Sequence, residues 1–250
     1  MSVAVVVVVA LCAAGAPAEA AWEEVARADV LGRPLVVYSR QVAGTDVREI
    51  RGVGSFAAPP WLMKNVVDDV AHYMDFMPYS KAADVIAHRD GYMLSYQRIS
   101  TPIINDRDYT VKITDESKED AAGKVIWKHH FKQANDLGPG PVDGVVRLET
   151  LEGWWMFEDL DGGKHTKATY YIYTNPGGGI PAFLANIANA QAVPDLYKAV
   201  GKASSFPRYA ATRPTLPGAA QVPPAAPATP TPTPTTPPTP PTPPPTPTVG

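Results

Sequence analysis

Thr169-Tyr170-Tyr171-Ile172-Tyr173-Thr174-Asn175-Pro176-Gly177-Gly178-Gly179-Ile180-Pro181-Ala182-Phe183-Leu184-Ala185-Asn186 is the stretch on which the fold turns. Its first half alternates, with Ala168, Tyr170 and Ile172 on one side and Lys167, Thr169, Tyr171 and Tyr173 on the other. That is the period of a half-buried strand, and tyrosine suits it. Asn175 to Gly179 ends the strand with turn residues. From Pro181 to about Lys202 the period becomes helical, with Phe183, Leu184, Ile187, Leu196, Tyr197 and Val200 as its apolar members. Pro194 lies inside this helix, where a missing N–H and a clashing ring are expected to kink or break it.

Upstream of this stretch the pattern is mostly that of strands. Leu35 to Val42 and Asp46 to Phe56 form an expected hairpin around Ala43-Gly44-Thr45. Pro59-Pro60-Trp61 then opens a helix from Leu62 to Met74, with Leu62, Val66 and Val70 at helical spacing. Further strands are expected over Ala82 to His88, Tyr92 to Ile99, Tyr109 to Asp115, Lys124 to Gln133, Val145 to Phe157 and His165 to Asn175. Such a curved antiparallel sheet needs cover for its concave face, and the long last helix supplies it. The fold class read from this order is α+β.

Strand parity assigns faces. Val125, Trp127, His129 and Phe131 make one side of their strand apolar apart from a single imidazole, so His129 is expected to point inward. A lone histidine there is either a hydrogen-bonded core residue or a donor to a ligand head group. The next strand places Val146, Leu148, Thr150, Trp154 and Met156 on one face, with Glu152 interrupting it. A bulge at Glu152-Gly153 would return that acid to solvent; without one it is buried and must be paired or protonated.

Conventional catalytic motifs are missing. The five histidines form no HExxH-like pair, and adjacent His129 and His130 face opposite ways on a strand. Ser95 has no nucleophile-elbow context. Gly177-Gly178-Gly179 has neither the lysine of a P-loop nor GxGxxG spacing, and reads as a hinge for the last helix. A formal charge of -3 and the lack of any Lys/Arg block give no footprint for nucleic acid. The only cysteine, Cys12, lies in the apolar leader, so the body has no disulfide or Cys-based metal site.

The chain ends differ from its middle. Val3 to Ala14 is an uncharged apolar run, shorter than the ~20 residues of a membrane span. With Ala18-Glu19-Ala20 after it, this reads as a signal peptide over 1–20, although it has no basic n-region and Ala14-Gly15-Ala16 offers a competing cleavage site. The expected location is periplasmic or secreted. Pro214 to Val249 holds 16 of the 28 prolines, so 211–250 is read as a disordered, polyproline-II-like tail. The globular body is then 21–210.

At this point the motifs resemble a known family, the START domains. The marks are Pro102 followed by Asn105-Asp106-Arg107-Asp108-Tyr109, Gly153-Trp154-Trp155 on a late strand, and Thr169 to Gly178 followed by Ile180 to Asn186. The resemblance spans Trp22 to about Lys202. It implies a helix-grip fold, in which a curved antiparallel sheet wraps a long C-terminal helix around an apolar cavity holding one lipid. Some sterol-binding members bury an acid-base pair on two central strands; the matching positions here, Leu94 and Ile113, are apolar. Arg107 and Asp108 read as a structural ion pair at the start of their strand.

The expected function is binding, and transfer, of one lipid or other apolar small molecule without a cofactor. Its expected ligand-contacting residues are Tyr96, Trp127, His129, Trp154, Met156, Tyr170, Ile172, Phe183, Asn186 and Ile187. The protein is expected to be a monomer that touches membranes transiently. Access requires the last helix, hinged at Gly177 to Gly179, to move with the Asn135 to Gly144 loop. Two alternatives stand beside this: a cyclase- or aromatase-like enzyme using His129, Glu152 and Arg98, and an envelope adaptor acting through its tail.

Overall fold

Alternation becomes sheet in the computed structural model, which describes residues 20–101 and 104–217. The strands are β1 (Glu23–Val30), β2 (Arg33–Gln41), β3 (Arg48–Phe56), β4 (Ser80–Arg89), β5 (Tyr92–Thr101), β6 (Ile104–Asp115), β7 (Lys118–Glu119), β8 (Val125–Gln133), β9 (Val146–Arg147), β10 (Thr150–Asp159) and β11 (Thr166–Asn175). They form one sheet in the order β1-β2-β3-β11-β10-β8-β6-β5-β4, antiparallel along this path. β7 adds to β8, and β9 runs parallel to β6. The last strand, β11, therefore lies in the centre beside β3 and joins the hairpin to the rest of the sheet.

β1 was not expected from Glu23-Glu24-Val25-Ala26-Arg27-Ala28-Asp29-Val30. Its charges and alanines have little strand propensity, and it forms through pairing with β2 across a Leu31-Gly32 turn in which both residues have positive φ. The expected helix over 62–74 is split into α1 (Pro60–Asp68), a 3-10 turn (Val70–His72) and α2 (Tyr73–Phe76). Asp69, at φ -82° and ψ 61°, leaves helical geometry and makes the break.

The long last helix is α3 (Ala182–Ala203), and it continues without interruption through Pro194, where a break or kink was expected. It packs over β1, β2 and β3. Its buried side chains are Ala185, Val193, Tyr197, Val200 and Ala203, three of them beyond Pro194. The Tyr197 hydroxyl lies 3.0 Å from Gly52 O and 2.9 Å from Ala168 O. Such proximity needs glycine at position 52: a Cβ there would stand 2.6 Å from Val193 Cγ1. The short helix α4 (Pro207–Ala210) follows, and chain past it still engages the body, since Asn65 Nδ2 donates to Thr212 O at 2.8 Å.

The core lies between sheet and helices. Val37, Ile50, Trp155, Phe157 and Ala168 from the sheet meet Met63, Val66 and Val67 of α1 and Val193, Tyr197 and Val200 of α3. No helix among the described residues is long and apolar enough to cross a membrane. The expected signal peptide, apart from Ala20, and the tail beyond 217 lie outside the described residues.

Candidate ligand-binding cavity

The inner sheet face is set by register. Trp155 pairs with His129 on one side and Tyr170 on the other, so these three project the same way from β10, β8 and β11. Leu151, Phe131 and Ile172 extend this surface, and β5 and β6 add Gln97, Ile99, Tyr109, Val111 and Ile113. Leu196 of α3 and Tyr73, Met77 and Pro78 from the α2 segment close over it. The space between sheet and helices has two lobes of about 130 Å³ and 200 Å³, which share Pro78, Ile99, Tyr109, Leu151, Tyr170, Ile172 and Leu196. The second lobe runs beneath α3 to Thr174, Asn189 and Val193.

Polar groups in this wall are few and mostly committed. The Tyr109 hydroxyl donates to Gln97 Oε1 at 3.0 Å. Burial pushes the hydroxyls of Tyr109 and Tyr170 well above the usual phenol range. His129 is 2% exposed, and its Nδ1 lies 2.7 Å from Asp68 Oδ1 on α1. Burial pushes the Asp68 carboxyl upward, but the His129 hydrogen bond and the Lys64 ammonium outweigh it and hold the group below its ordinary value. Lys64 reaches Asp68 and also Asp115, the latter at 3.1 Å. The imidazole is thus fixed by its carboxylate partner while its ring lines the cavity.

Of the expected contact residues, the structure brings His129, Tyr170 and Ile172 together in the cavity wall. Trp127 is buried in the adjoining core. Tyr96 points to the outer face, its hydroxyl 3.1 Å from Asp108 Oδ2, and its neighbour Gln97 takes the inward place.

Trp154 and Met156 also lie outside. β10 pairs with β8 and β11 without any register shift, so no bulge exists at Glu152-Gly153. The irregularity lies upstream, where the expected single strand divides into β9 and β10. Counting parity from Val146 therefore selects the wrong face, and Leu151, Gly153, Trp155 and Phe157 are the buried set. Trp154 instead stacks on Tyr171, with centroids 5.4 Å apart, beneath the Lys128 ammonium. With Met156, Trp22 and Arg51 it lines an open outer groove of about 630 Å³. Glu152 shares that side, pairing with Lys132 at 2.8 Å and His130 at 3.2 Å.

Phe183 and Ile187 on the first turns of α3 are 64% and 50% exposed. Asn186 is a latch: its Oδ1 accepts from Arg48 N at 2.9 Å and its Nδ2 donates to Asp46 O at 2.9 Å. Arg107 and Asp108 do not pair with each other, since neighbours on a strand project oppositely. Asp108 is held by Arg147 through two 2.8 Å bonds, and Arg147 also donates to Pro139 O and Gly140 O. Arg107 donates to Pro176 O at 3.3 Å. These two residues anchor the 135–144 loop and the strand end before the glycine hinge. At that hinge Gly177, Gly178 and Gly179 all have positive φ, a run that residues with side chains rarely adopt.

Trp155, Phe131, Leu151, Gln97 and Tyr109 are cavity residues that the sequence reading left off its contact set. A signal for Trp155 was present: aligning its strand antiparallel to the one ending at Asn175 places it opposite Tyr170.

No protein-family model matches the chain. It is 28% identical over 151 residues to an uncharacterized protein of Pseudomonas aeruginosa, covering 60% of this chain and 72% of that protein. The rat phosphatidylcholine transfer protein is 30% identical over 115 residues, 46% of this chain and 53% of the relative. The human phosphatidylcholine transfer protein has the same coverage, so the chain spans about half the length of these two relatives. Among solved structures, a STAR-related lipid transfer protein fragment from Xanthomonas axonopodis superimposes with a TM-score of 0.64 and 24% identity. The match covers 74% of this chain and 99% of that one. Human StAR-related lipid transfer protein 5 gives 0.60 at 16% identity, covering 73% and 86%. The large antiparallel sheet and long last helix superimpose on these structures, and the chain has the helix-grip fold of the STAR-related lipid transfer domains.

Proposed function

We propose that this protein binds one lipid or other apolar small molecule in the cavity between the sheet and α3, and carries it through water. The observation that supports this reading is the cavity wall itself, built from Ile99, Val111, Leu151, Trp155, Ile172 and Leu196 with few polar groups among them. Burial of an acyl or alicyclic body there is favourable by ~0.8 kcal/mol per methylene, and no reactive group is needed. The sequence relatives named for phosphatidylcholine transfer and the fold shared with lipid transfer domains point the same way.

α3 and the α2 segment lie over the two lobes, and their movement would widen the way in for a ligand. The first turns of α3 present Phe183, Leu184 and Ile187 to solvent beside the glycine hinge. An exposed apolar edge at a hinged element suits brief contact with a membrane surface as the ligand passes. A periplasmic or secreted location remains part of the proposal and rests on the leader sequence. The acid-base set His129, Glu152 and Arg98 is dispersed: Glu152 pairs with Lys132, and Arg98 binds Asp106 at 2.6 Å. The cavity therefore supports carriage better than catalysis by that trio.

Native mass spectrometry of protein purified from its host, followed by organic extraction, is the direct test. A stoichiometric apolar ligand is the expected result. Protein that emerges empty and takes up neither fluorescent sterol nor fluorescent phospholipid would overturn the reading.

A further inference from the structure

The outer face of the sheet carries a row of rings around one guanidinium. Cross-strand register sets Tyr38 of β2, Arg51 of β3, Tyr171 of β11 and Trp154 of β10 side by side. Arg51 Cζ lies 5.1 Å from the centroid of the Tyr38 ring and 4.3 Å from that of Trp22, which comes from the chain just before β1. Trp22 also meets Tyr171 edge-on, with centroids 6.4 Å apart. Val53, Thr169 and Met156 form the adjoining row, so apolar side chains flank Arg51 and Tyr171 within the groove of about 630 Å³.

Arg51 is left without an anion. Among the described residues its half-buried guanidinium makes no ion pair or hydrogen bond, and its Nε is buried with no partner. The acids around the groove are already engaged. Glu49 pairs with Arg40 at 2.5 Å and accepts from the Tyr171 hydroxyl at 2.7 Å. Glu152 pairs with Lys132 and His130, and Glu158 with Lys167. Attraction to the faces of two rings offsets part of the desolvation of Arg51. Those faces leave the in-plane N–H fork unused, and that fork matches a planar carboxylate through two parallel hydrogen bonds.

From these observations we infer that the outer groove is a second binding site, for an organic anion whose carboxylate pairs with Arg51 and whose flat apolar body lies along Tyr171, Trp154 and Met156. The groove's volume falls within the ~300–1,000 Å³ of ordinary small-molecule sites. It is separate from the inner cavity. Adjacent residues of β10 and β11 face opposite ways, so the sheet itself stands between Trp154 and Tyr171 outside and Trp155 and Tyr170 inside. The same anion is unsuited to the cavity. Among the described residues neither lobe is lined by Lys or Arg, and a carboxylate there would lose its hydration with neither to replace it. The two sites take chemically different ligands and can be filled at once.

Two naphthalenes of one shape test it by calorimetry: 2-naphthoate and its uncharged isostere 2-naphthamide, each titrated with phosphatidylcholine present and absent. The naphthoate is expected to bind at least about tenfold tighter than the amide. Raising salt from about 0.05 to 0.5 M should weaken the naphthoate and leave the amide unchanged. Arg51→Gln should cost the naphthoate about ten- to a hundredfold and the amide less than about twofold. Arg51→Lys keeps the charge but loses the fork, and should restore only part of that loss. Trp154→Ala should weaken acid and amide alike, by about two- to tenfold, whereas Trp155→Phe on the inner face should alter neither. Equal binding of acid and amide, an unchanged naphthoate affinity in Arg51→Gln, or no naphthoate binding at about 1 mM overturns the inference. So does displacement of naphthoate by phosphatidylcholine, or its loss in Trp155→Phe, since either places the probe in the cavity. Should Arg51→Gln fail to fold, the salt dependence and Arg51→Lys still decide. Carriage of an apolar ligand is measured separately, by lipid uptake, and stands or falls without regard to these results.

Discussion

Lys64 is 1% exposed, yet its ammonium stands against the carboxylates of Asp68 and Asp115. Asp68 is the shared member of this group, because it also holds His129. Removing its charge strands a buried ammonium on Asp115 alone and releases the imidazole. Loss of one partner from a fully buried pair costs about 3–5 kcal/mol. The Asp68 side chain is 38% exposed, so solvent screening brings the expected cost of Asp68→Asn to about 1–2 kcal/mol. The pH dependence has a definite sign. Asp68 is held below its ordinary value of 3.8, so the folded state favours the ionised form. Its contribution is complete above the unfolded value and is lost as pH falls through the lower folded value. Urea unfolding from pH 7 down to pH 3 should therefore show the difference between the unaltered protein and Asp68→Asn shrinking below about pH 4. A difference independent of pH would mean that the carboxylate's charge is not what Lys64 and His129 need.

At the scale of single elements, β10 carries two adjacent tryptophans that face opposite ways. Trp155 is 2% exposed and lines the cavity, whereas Trp154 stacks on Tyr171 in the outer groove. A lipid brominated along its chain should quench Trp155 on binding. Trp155→Phe should abolish most of that quenching, and Trp154→Phe should preserve it; the reverse pattern would place the ligand on the outer face. This strand also marks how far sequence periodicity reaches. The order of the long strands from β2 onward and of the last helix, and the inward face of β8 with Trp127 and His129, were legible, because each follows from a pattern unbroken within its element. The faces of β10 were not. Between Arg147 and Thr150 the chain leaves one pairing and begins another, and a one-residue slip there inverts every side chain that follows. The outer face added to the error, since Trp154 and Met156 look like core in one dimension. Trp154 sits under the Lys128 ammonium of the neighbouring strand, as Trp22 in the same groove sits under Arg51, and such pairs are invisible before the sheet is assembled. Tyr96 was misplaced for a related reason: its hydroxyl finds its partner in Asp108, the immediate neighbour of the cavity-lining Tyr109, only once β5 and β6 are in register.

For the whole molecule, the two halves of α3 are held differently, and this decides where it can open. Beyond Pro194 the helix buries Tyr197, Val200 and Ala203, with the Tyr197 hydroxyl fixed to the central strands. Before it, Ala185 and Val193 are the buried residues, and Phe183, Leu184 and Ile187 face water. Pro194 itself supplies no backbone N–H to the turn that joins the halves. The first half is tied mainly by polar contacts: Asn186 to Arg48 N and Asp46 O, Asn189 Nδ2 to Thr174 O at 3.3 Å, and Tyr79 to Asp195 at 2.9 Å near the midpoint. Few buried apolar contacts and a run of three positive-φ glycines give the prediction that this segment lifts while the second half stays docked. Asn186→Ala removes two hydrogen bonds worth together about 1–3 kcal/mol, all of it from the closed state. Release of a preloaded fluorescent lipid to acceptor vesicles should accelerate by roughly five- to a hundredfold, the same energy expressed as a rate. Amide hydrogen exchange should rise in residues 182–192 and stay unchanged in 195–203. Tyr197→Phe is the contrasting variant, because it weakens the docked half and should lower global stability by about 1 kcal/mol while leaving release nearly unaltered. If Asn186→Ala left release unchanged, or if exchange rose equally along the whole helix, α3 would open as one rigid rod, and its glycine hinge would carry the motion without help from the proline.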